Sequence, residues 1–133
     1  MEVKTHRRAS RTFLGRPLLI RDDAEAVVEL ETCEEMVVDD HGLIHGGFTF
    51  GIADYAAMLA VNHPHVVLAA AEVRFLAPVR VGDVMRARAE VVEREGRRRE
   101  VAVEVSVGSE KVLAGTLTCY VLRGHVLDRR KAG

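Results

Sequence analysis

The chain has 133 residues, a length that fits one domain with a real core and is too short for two. Apolar residues make up 48% of it and the formal net charge is −1, which favours a soluble globular protein and excludes an overall field that attracts nucleic acid or anionic membranes. No stretch is long and apolar enough for a membrane span or a signal peptide. We therefore expect a cytoplasmic protein with no nucleic-acid and no membrane partner.

Both ends of the chain are basic, and short basic ends are usually solvated. The basic residues at the ends are Lys4, Arg7, Arg8, Arg11, Arg129, Arg130 and Lys131. We expect residues 1–11 and 124–133 to be flexible tails of a single domain that spans residues 1–133. Cys33 and Cys119 lie in strand-like apolar surroundings, so we expect buried, inert thiols and no disulfide framework.

The first predicted elements are a strand and a long helix. Residues 26–32 alternate between apolar and polar side chains, which predicts a half-buried strand, and a polar break follows at 39–42. Residues 48–62 are rich in alanine, leucine and methionine, which favour a helix that ends before His63-Pro64. Apolar residues cover nearly its whole circumference. Such a helix has no solvent face and needs to be wrapped by the rest of the fold.

The second half of the chain predicts strands, at residues 66–76, 84–94, 98–107 and 111–122. In the third of them, Val101, Val103 and Val105 alternate with polar or small residues, a period of two. One buried helix followed by this antiparallel meander predicts an α+β fold. Its long antiparallel sheet would wrap around one central helix, which is the arrangement of the hotdog fold. The exposed sheet edges favour dimerisation by edge pairing.

One acidic side chain, Asp54, lies within the apolar helix. Burying a carboxylate costs several kcal/mol unless it is compensated, so the acid needs an explanation. It is either a structural acid bonded to a backbone donor or an arginine, or a general base or nucleophile that acts on an acyl carbon. His45-Gly46-Gly47 precedes the helix. This segment is either a plain entry turn or a place where unpaired N–H groups stabilise an oxyanion.

The spacing of these residues predicts a site shared by two subunits. Gly47 and Asp54 are separated by about 10 Å along a helix axis, too far for one acyl carbon to contact both. We therefore expect the helix start of one subunit to face Asp54 of another. His45 would shape the loop or bind the substrate carbonyl, with the structural role preferred. A metal site at His63 and His65 is not expected, because no third ligand has suitable spacing.

Two motifs carry a resemblance to a known family. His45-Gly46-Gly47-Phe48, with Asp54 nine positions after the histidine, resembles the central motif of the phenylacetyl-CoA thioesterase branch of the hotdog superfamily. Residues 72–78, followed by Val81-Gly82-Asp83, are similar to its second signature. The resemblance spans roughly residues 25–122, nearly the whole domain.

The resemblance implies hydrolysis of an acyl-CoA by a homo-oligomer, either a dimer or a dimer of dimers; acyl carrier protein remains open as the carrier. It implies that the Gly46 backbone amide polarises the thioester carbonyl and that Asp54 of the neighbouring subunit is the base or nucleophile. It implies no metal and no cofactor besides the CoA of the substrate, whose phosphates Arg74 or Arg80 would bind. The other expected substrate contacts are Asp39, Gly47, Phe48 and Tyr55.

The acyl group itself is not identified by the sequence. Five side chains are candidates either for an acyl pocket or for the core, and we expect the core for most of them: Phe48, Phe50, Tyr55, Met58 and Phe75.

One departure from the family pattern and a second resemblance leave an alternative open. Many relatives carry an asparagine six residues before the motif histidine, where this chain has Asp39. An acid there accepts hydrogen bonds, and beside Asp54 it would raise the pKa of that residue. Residues 72–83 also resemble the ligand domains of bacterial fatty-acid regulators, which bind thioesters without hydrolysing them. A non-hydrolytic acyl-CoA sensor, without the helix-turn-helix segment of those repressors, is the alternative function.

Overall fold

The computed structural model describes residues 1–128. In chain order its helices and strands are α1 (Arg11–Leu14), β1 (Arg16–Arg21), β2 (Glu25–Glu31), α2 (Gly46–Val61), β3 (Val66–Phe75), β4 (Val84–Glu95), β5 (Arg98–Val107) and β6 (Glu110–Val121). A short 3₁₀ turn, Glu34–Met36, lies between β2 and α2. The predicted α+β class and the hotdog arrangement are confirmed.

The six strands form one antiparallel sheet in the order β1-β2-β4-β5-β6-β3. Apolar and polar residues alternate along the strands, so one face of the sheet is buried. Every second residue of β4 from Met85 to Val91 is buried, and the buried residues of β5 are Val101, Val103 and Val105. The register places Ala87 of β4 opposite Val105. Helix α2 packs across β2, β4 and β5, and β3 forms the edge of the sheet beside β6.

Helix α2 is enclosed as its composition requires. Ten of its sixteen residues are buried, including the fully buried Ile52 and Leu59. The helix ends at Asn62, which adopts the left-handed conformation and donates its N–H to the Met58 carbonyl oxygen at 2.7 Å. Asparagine is one of the few side chains that tolerate this conformation, so it terminates the helix without a glycine.

The N-terminal segment makes contacts that the sequence patterns did not indicate. The Asn62 side chain accepts a hydrogen bond from the Lys4 N–H at 2.9 Å and donates to the Glu2 carbonyl oxygen at 2.8 Å, and Thr5 is only 5% exposed. Residues 1–11, expected to be a flexible tail, therefore contact the end of α2. Residues 129–133 of the expected C-terminal tail lie outside the described residues. Within residues 1–128, no helix is both long enough and apolar enough to cross a membrane.

The position of β3 depends on a glycine in β6. Gly115 lies opposite Val73, and a Cβ atom on Gly115 would lie 2.2 Å from the Glu72 carbonyl oxygen and 2.6 Å from the Val73 Cα. Both of these are backbone atoms, which cannot rotate away as a side chain can. We therefore expect Gly115→Ala to lower the free energy of unfolding by about 1–3 kcal/mol, the usual cost of overpacking.

The matched control is Gly124→Ala, because a Cβ there would meet no atom within 4 Å. Urea unfolding followed by circular dichroism compares the two variants. Equal stability of Gly115→Ala and Gly124→Ala would show that β3 and β6 are not as close as described.

Candidate active site

The start of helix α2 is capped by a side chain and leaves one amide open. His45 is the N-cap, and its Nδ1 accepts the Gly47 N–H at 2.7 Å, while its carbonyl oxygen accepts the Phe48 N–H at 3.0 Å. Among residues 1–128, no protein acceptor bonds the Gly46 N–H, and residues 45–47 are exposed. A free N–H at the positive end of the helix dipole is suited to bind a developing negative charge.

The loop before the helix is held by Asp39. Its Oδ1 accepts the N–H groups of His41 at 2.9 Å and Leu43 at 3.1 Å, and Leu43 forms a β-bridge with Arg80. The turn needs an acceptor at this position, and a carboxylate supplies one. Asp39, predicted to contact substrate, therefore also orders the segment that leads into the helix.

Asp54 is an acid whose side chain is partly buried and, within residues 1–128, lacks a partner for one of its oxygens. It lies on α2 with a partly buried side chain, and its Oδ1 is buried without a hydrogen-bond partner among the described residues. Within residues 1–128 it forms no ion pair, so no donor or arginine of the protomer compensates it. Burial raises the pKa of Asp54 to about 6, and within the protomer Asp39 contributes nothing to that rise. Unpaired, desolvated acids of this kind cluster at functional sites.

Asp54 and the open amide cannot act on one atom within a protomer. Gly46 and Asp54 lie on the same continuous helix, eight residues apart, so about 12 Å separate them along its axis. The shared site between two subunits therefore stays a prediction that this geometry favours.

The side chains proposed for an acyl pocket divide into two groups. Tyr55 and Met58 are 6% and 1% exposed and belong to the core, and Phe48 and Phe50 are partly buried. Phe75, in contrast, is 57% exposed, and its Cε1 lies 3.4 Å from the position that a Cβ on Gly46 would occupy.

One aromatic contact near the helix start was missed by the sequence reasoning. The ring of Phe13 in α1 lies 5.8 Å from the ring of Phe48. Phe13 comes from a four-residue helix too short to show a periodic pattern, so aromatic character was the only local signal.

The two arginines expected to bind the CoA phosphates are free to contact a ligand. Arg74 lies on the edge strand β3 and Arg80 in the turn that follows it; both are exposed, and neither forms an ion pair within residues 1–128. Arg80 and Asp39 line the same surface cavity of about 480 Å³. The structure thus brings Asp39 and Arg80 together, and Gly46 together with His45 and Phe75.

The two cysteines differ in exposure. Cys119 is fully buried, and burial, with the negative charges of Asp54 and Glu100 adding to it, raises the pKa of the Cys119 thiol to about 12. It is therefore a protonated, inert thiol, as expected. Cys33 is only partly buried, which corrects the expectation that both thiols lie in the core.

The cap gives a first prediction, made by comparing two neighbouring glycines. A Cβ on Gly47 would lie 2.7 Å from His45 Nδ1 and displace the cap, whereas a Cβ on Gly46 makes only an ordinary contact with Phe75. Both changes to alanine give the same gain in helix propensity, so their difference isolates the cap. We expect Gly47→Ala to be less stable than Gly46→Ala by about 1 kcal/mol, measured by urea unfolding. Equal stabilities would contradict the cap.

Asp54 gives a second prediction, on stability. Its folded pKa of about 6 lies above the ordinary 3.8, so folding favours the protonated form. The carboxylate therefore costs no stability below pH 3.8, and its cost grows as pH rises to about 6. We expect Asp54→Asn to equal the unmodified chain near pH 4 and to be about 1–3 kcal/mol more stable near pH 7.5.

The matched control for this prediction is Asp40→Asn, which neutralises an exposed acid. Thermal and urea unfolding at both pH values measure the difference. A variant with Asp54→Asn that loses stability at pH 7.5 would show that the carboxylate is compensated after all.

Comparison with known proteins gives the family. Residues 41–114 match the thioesterase superfamily. The crystal structure of the uncharacterized protein PH1136 from Pyrococcus horikoshii is 55% identical, with a TM-score of 0.94 over 96% of this chain and 98% of that one. A variant of the phenylacetic acid degradation protein PaaI from Thermus thermophilus is 32% identical, with a TM-score of 0.73 over 82% of this chain and 95% of that one.

The curated relatives are longer proteins. A protein of Aquifex aeolicus named methylthioribose-1-phosphate isomerase is 48% identical over 115 residues, which are 86% of this chain and 25% of that protein. Transcription factor FapR of Caldanaerobacter subterraneus is 27% identical over 100 residues, 75% of this chain and 50% of that protein. This chain spans a quarter to a half of their lengths, and the activities in their names are those of the longer proteins. The match over more than half of its length shows that the chain belongs to the thioesterase superfamily.

Proposed function

We propose that this chain is a cytoplasmic, homo-oligomeric thioesterase that hydrolyses an acyl-CoA to the free acid and CoA. The observation that carries the proposal is the buried carboxylate oxygen of Asp54, which has no partner among the described residues. Membership of the thioesterase superfamily and the likeness to PaaI support the reaction class.

The chemistry assigns Asp54 and Gly46 opposite roles. A carboxylate with a pKa of about 6 is mostly ionised at pH 7 and is more basic than an ordinary aspartate, so it can take a proton from water as the oxygen attacks the thioester carbon. The Gly46 N–H stabilises the oxyanion that forms. The C–S bond then breaks, and the proton held by Asp54 passes to the departing thiolate. Direct attack by the carboxylate, giving an anhydride that water cleaves, uses the same two groups.

In this proposal the second subunit binds at the free edge of the sheet, along β3. Strand β3 is ten residues long, pairs with β6 on one side, and exposes the small residues Ala69, Ala70 and Ala71. A long edge strand with exposed small residues tends to pair with another strand. Pairing of two β3 strands would bring a second copy of α2 beside Asp54 and supply the Gly46 amide that its own subunit holds about 12 Å away.

A second function is favoured by one comparison. The similarity to FapR covers 75% of this chain, and Asp39 stands where many thioesterases of this type have asparagine. A non-hydrolytic acyl-CoA sensor is therefore the alternative, and it needs the same binding surface without turnover.

The central test compares Asp54→Asn with Asp40→Asn on a panel of acyl-CoA and acyl carrier protein thioesters, including phenylacetyl-CoA, by thiol release. We expect Asp54→Asn to lower kcat at least about 100-fold, the usual contribution of a general base. KM should change little, because the variant keeps its shape. Asp40→Asn should match the unmodified chain. The logarithm of kcat/KM of the unmodified chain should rise with pH and level off above about 6, because the base must be ionised.

The outcomes separate the two functions. Binding of thioesters without turnover by the unmodified chain would favour the sensor, and full turnover by Asp54→Asn would exclude Asp54 as the base.

A mixing experiment tests whether two subunits share the site. Gly46→Pro removes the amide at the first helical position, where proline is tolerated, and the extended backbone of His45 accepts a following proline.

If the site is shared, mixing inactive Gly46→Pro with inactive Asp54→Asn restores about a quarter of the unmodified activity, since half of randomly formed dimers carry one intact site of two. No recovery after subunit exchange, confirmed by native mass spectrometry, would place both groups in one subunit.

A further inference from the structure

A second cavity, of about 430 Å³, lies at the opposite end of α2 from the candidate active site. Three separated parts of the chain form its wall: the N-terminal segment, the start of β3 and the residues after β6. The side chains that define it are three histidines, His6, His65 and His125, and three apolar residues, Val66, Leu68 and Val126. We refer to it as the histidine cavity.

One of its histidines has an unused polar atom. The Nδ1 of His65 is buried and has no hydrogen-bond partner among the described residues. Leaving a buried polar atom unpaired is costly, so such atoms are rare unless a ligand or water bonds to them. The histidine cavity thus contains a group prepared for a partner.

The hydrogen bonds of the neighbouring rings indicate what kind of partner fits. His125 Nδ1 accepts the Leu127 N–H at 3.0 Å, and His63, whose ring centroid lies 5.8 Å from that of His65, accepts the His65 N–H through Nδ1 at 3.0 Å. An Nδ1 that accepts carries no proton, so each neutral ring has its proton on Nε2, where it can act as a donor. Of these two rings, His125 lines the cavity and His63 adjoins it through His65.

The hydrogen bonds of these rings differ from those of metal-binding histidines. A metal-binding histidine uses one nitrogen as a lone-pair ligand and normally donates the other N–H to a carbonyl or carboxylate. Here the second nitrogen of His125 and His63 accepts a backbone N–H instead. Consistent with this, no three histidine, cysteine or acidic side chains within residues 1–128 are placed to hold a metal ion.

We infer that the histidine cavity binds an anionic group, a carboxylate or a phosphate, whose oxygens accept hydrogen bonds from the imidazole N–H groups. The apolar side chains Val66, Leu68 and Val126 favour a carboxylate that carries a short hydrocarbon chain. Two sources offer this chemistry: a free short-chain acid and the phosphates of a nucleotide such as the one in CoA. The inference does not depend on the role of Asp54.

The test is a titration of the unmodified chain followed by the NMR signals of its histidine side chains, with hexanoate, inorganic phosphate and Zn²⁺ as three separate probes. We expect hexanoate to shift the signals of His6, His65 and His125 along one saturating curve. His41 lines the cavity of Asp39 and Arg80 instead, so a shift of its signals alone would report binding there and would not support the inference. Saturation by phosphate in place of hexanoate would support the inference with the nucleotide as the source.

A variant pair adds an independent measurement by calorimetry. His65→Phe combined with His125→Phe keeps the ring volumes and removes the donors, and we expect it to weaken anion binding at least about tenfold, as the loss of two hydrogen bonds predicts. Ser106→Ala, a change on β5 outside the lining of the histidine cavity, is the control and should bind as the unmodified chain does.

Three results would overturn the inference: no saturation by either anion at about 10 mM, unchanged affinity in the double variant, or saturating Zn²⁺ binding at these histidines without anion binding. If the double variant fails to fold, the titration of the unmodified chain still decides.

Discussion

The structure depends on the need to enclose a helix that is apolar on nearly all sides. Helix α2 can be stable only if other elements remove its surface from water. The sheet covers the side that faces β2, β4 and β5, and the N-terminal segment closes the C-terminal end of the helix through Asn62. The same enclosure removes water from Asp54, so the burial that stabilises the fold also raises the pKa of this acid.

The two ends of α2 differ in their hydrogen bonding, and this difference leaves the donor of the proposed site at the N-terminal end. At the C-terminal end, the Asn62 side chain bonds the backbone of Glu2 and Lys4 and the side chain of Asp22. At the N-terminal end, His45 satisfies the Gly47 N–H and leaves that of Gly46 open. One end is closed by hydrogen bonds and the other keeps an unused donor in solvent, where a ligand can reach it.

Much of the fold could be predicted from local patterns. Strand β5 begins and ends at the predicted residues because strict alternation marks its length. Strand β4 ends one residue later than predicted, and β6 begins and ends one residue earlier. The true start of α2 is two residues earlier than predicted, because a pair of glycines reads as a break unless the side chain that caps it is recognised. Strand β1 was missed: it contains a proline and no regular alternation, and its pairing with β2 defines it.

The candidate site was predictable only where it is local in sequence. The unusual position of Asp54 and the open start of the helix follow from the order of residues. The approach of Phe75 to Gly46 depends on how the loop and β3 meet, and no local pattern encodes a contact across 29 residues. The hydrogen bonds of Asp39 are local, to the N–H groups of His41 and Leu43, and the polar break at 39–42 was the signal for that turn. The subunit arrangement depends further on a second copy of the chain.

Asp54 couples folding and chemistry in opposite directions. As pH rises from about 4 to about 6, Asp54 would ionise in the unfolded chain but stays mostly protonated in the folded one, and this difference lowers the stability of the fold. Around pH 6 the folded carboxylate ionises too and becomes the base that the proposed reaction needs. An uncharged side chain of the same shape would fold better and could not accept a proton. Burying the Asp54 carboxylate in the middle of α2 lowers the stability of the fold. This loss is more easily explained by a function of the side chain than by a structural role. If a second subunit brings the Gly46 amide and a bound thioester beside Asp54, the carboxylate gains the partners that it lacks in the isolated subunit. Oligomerisation would then offset part of the stability that its burial costs.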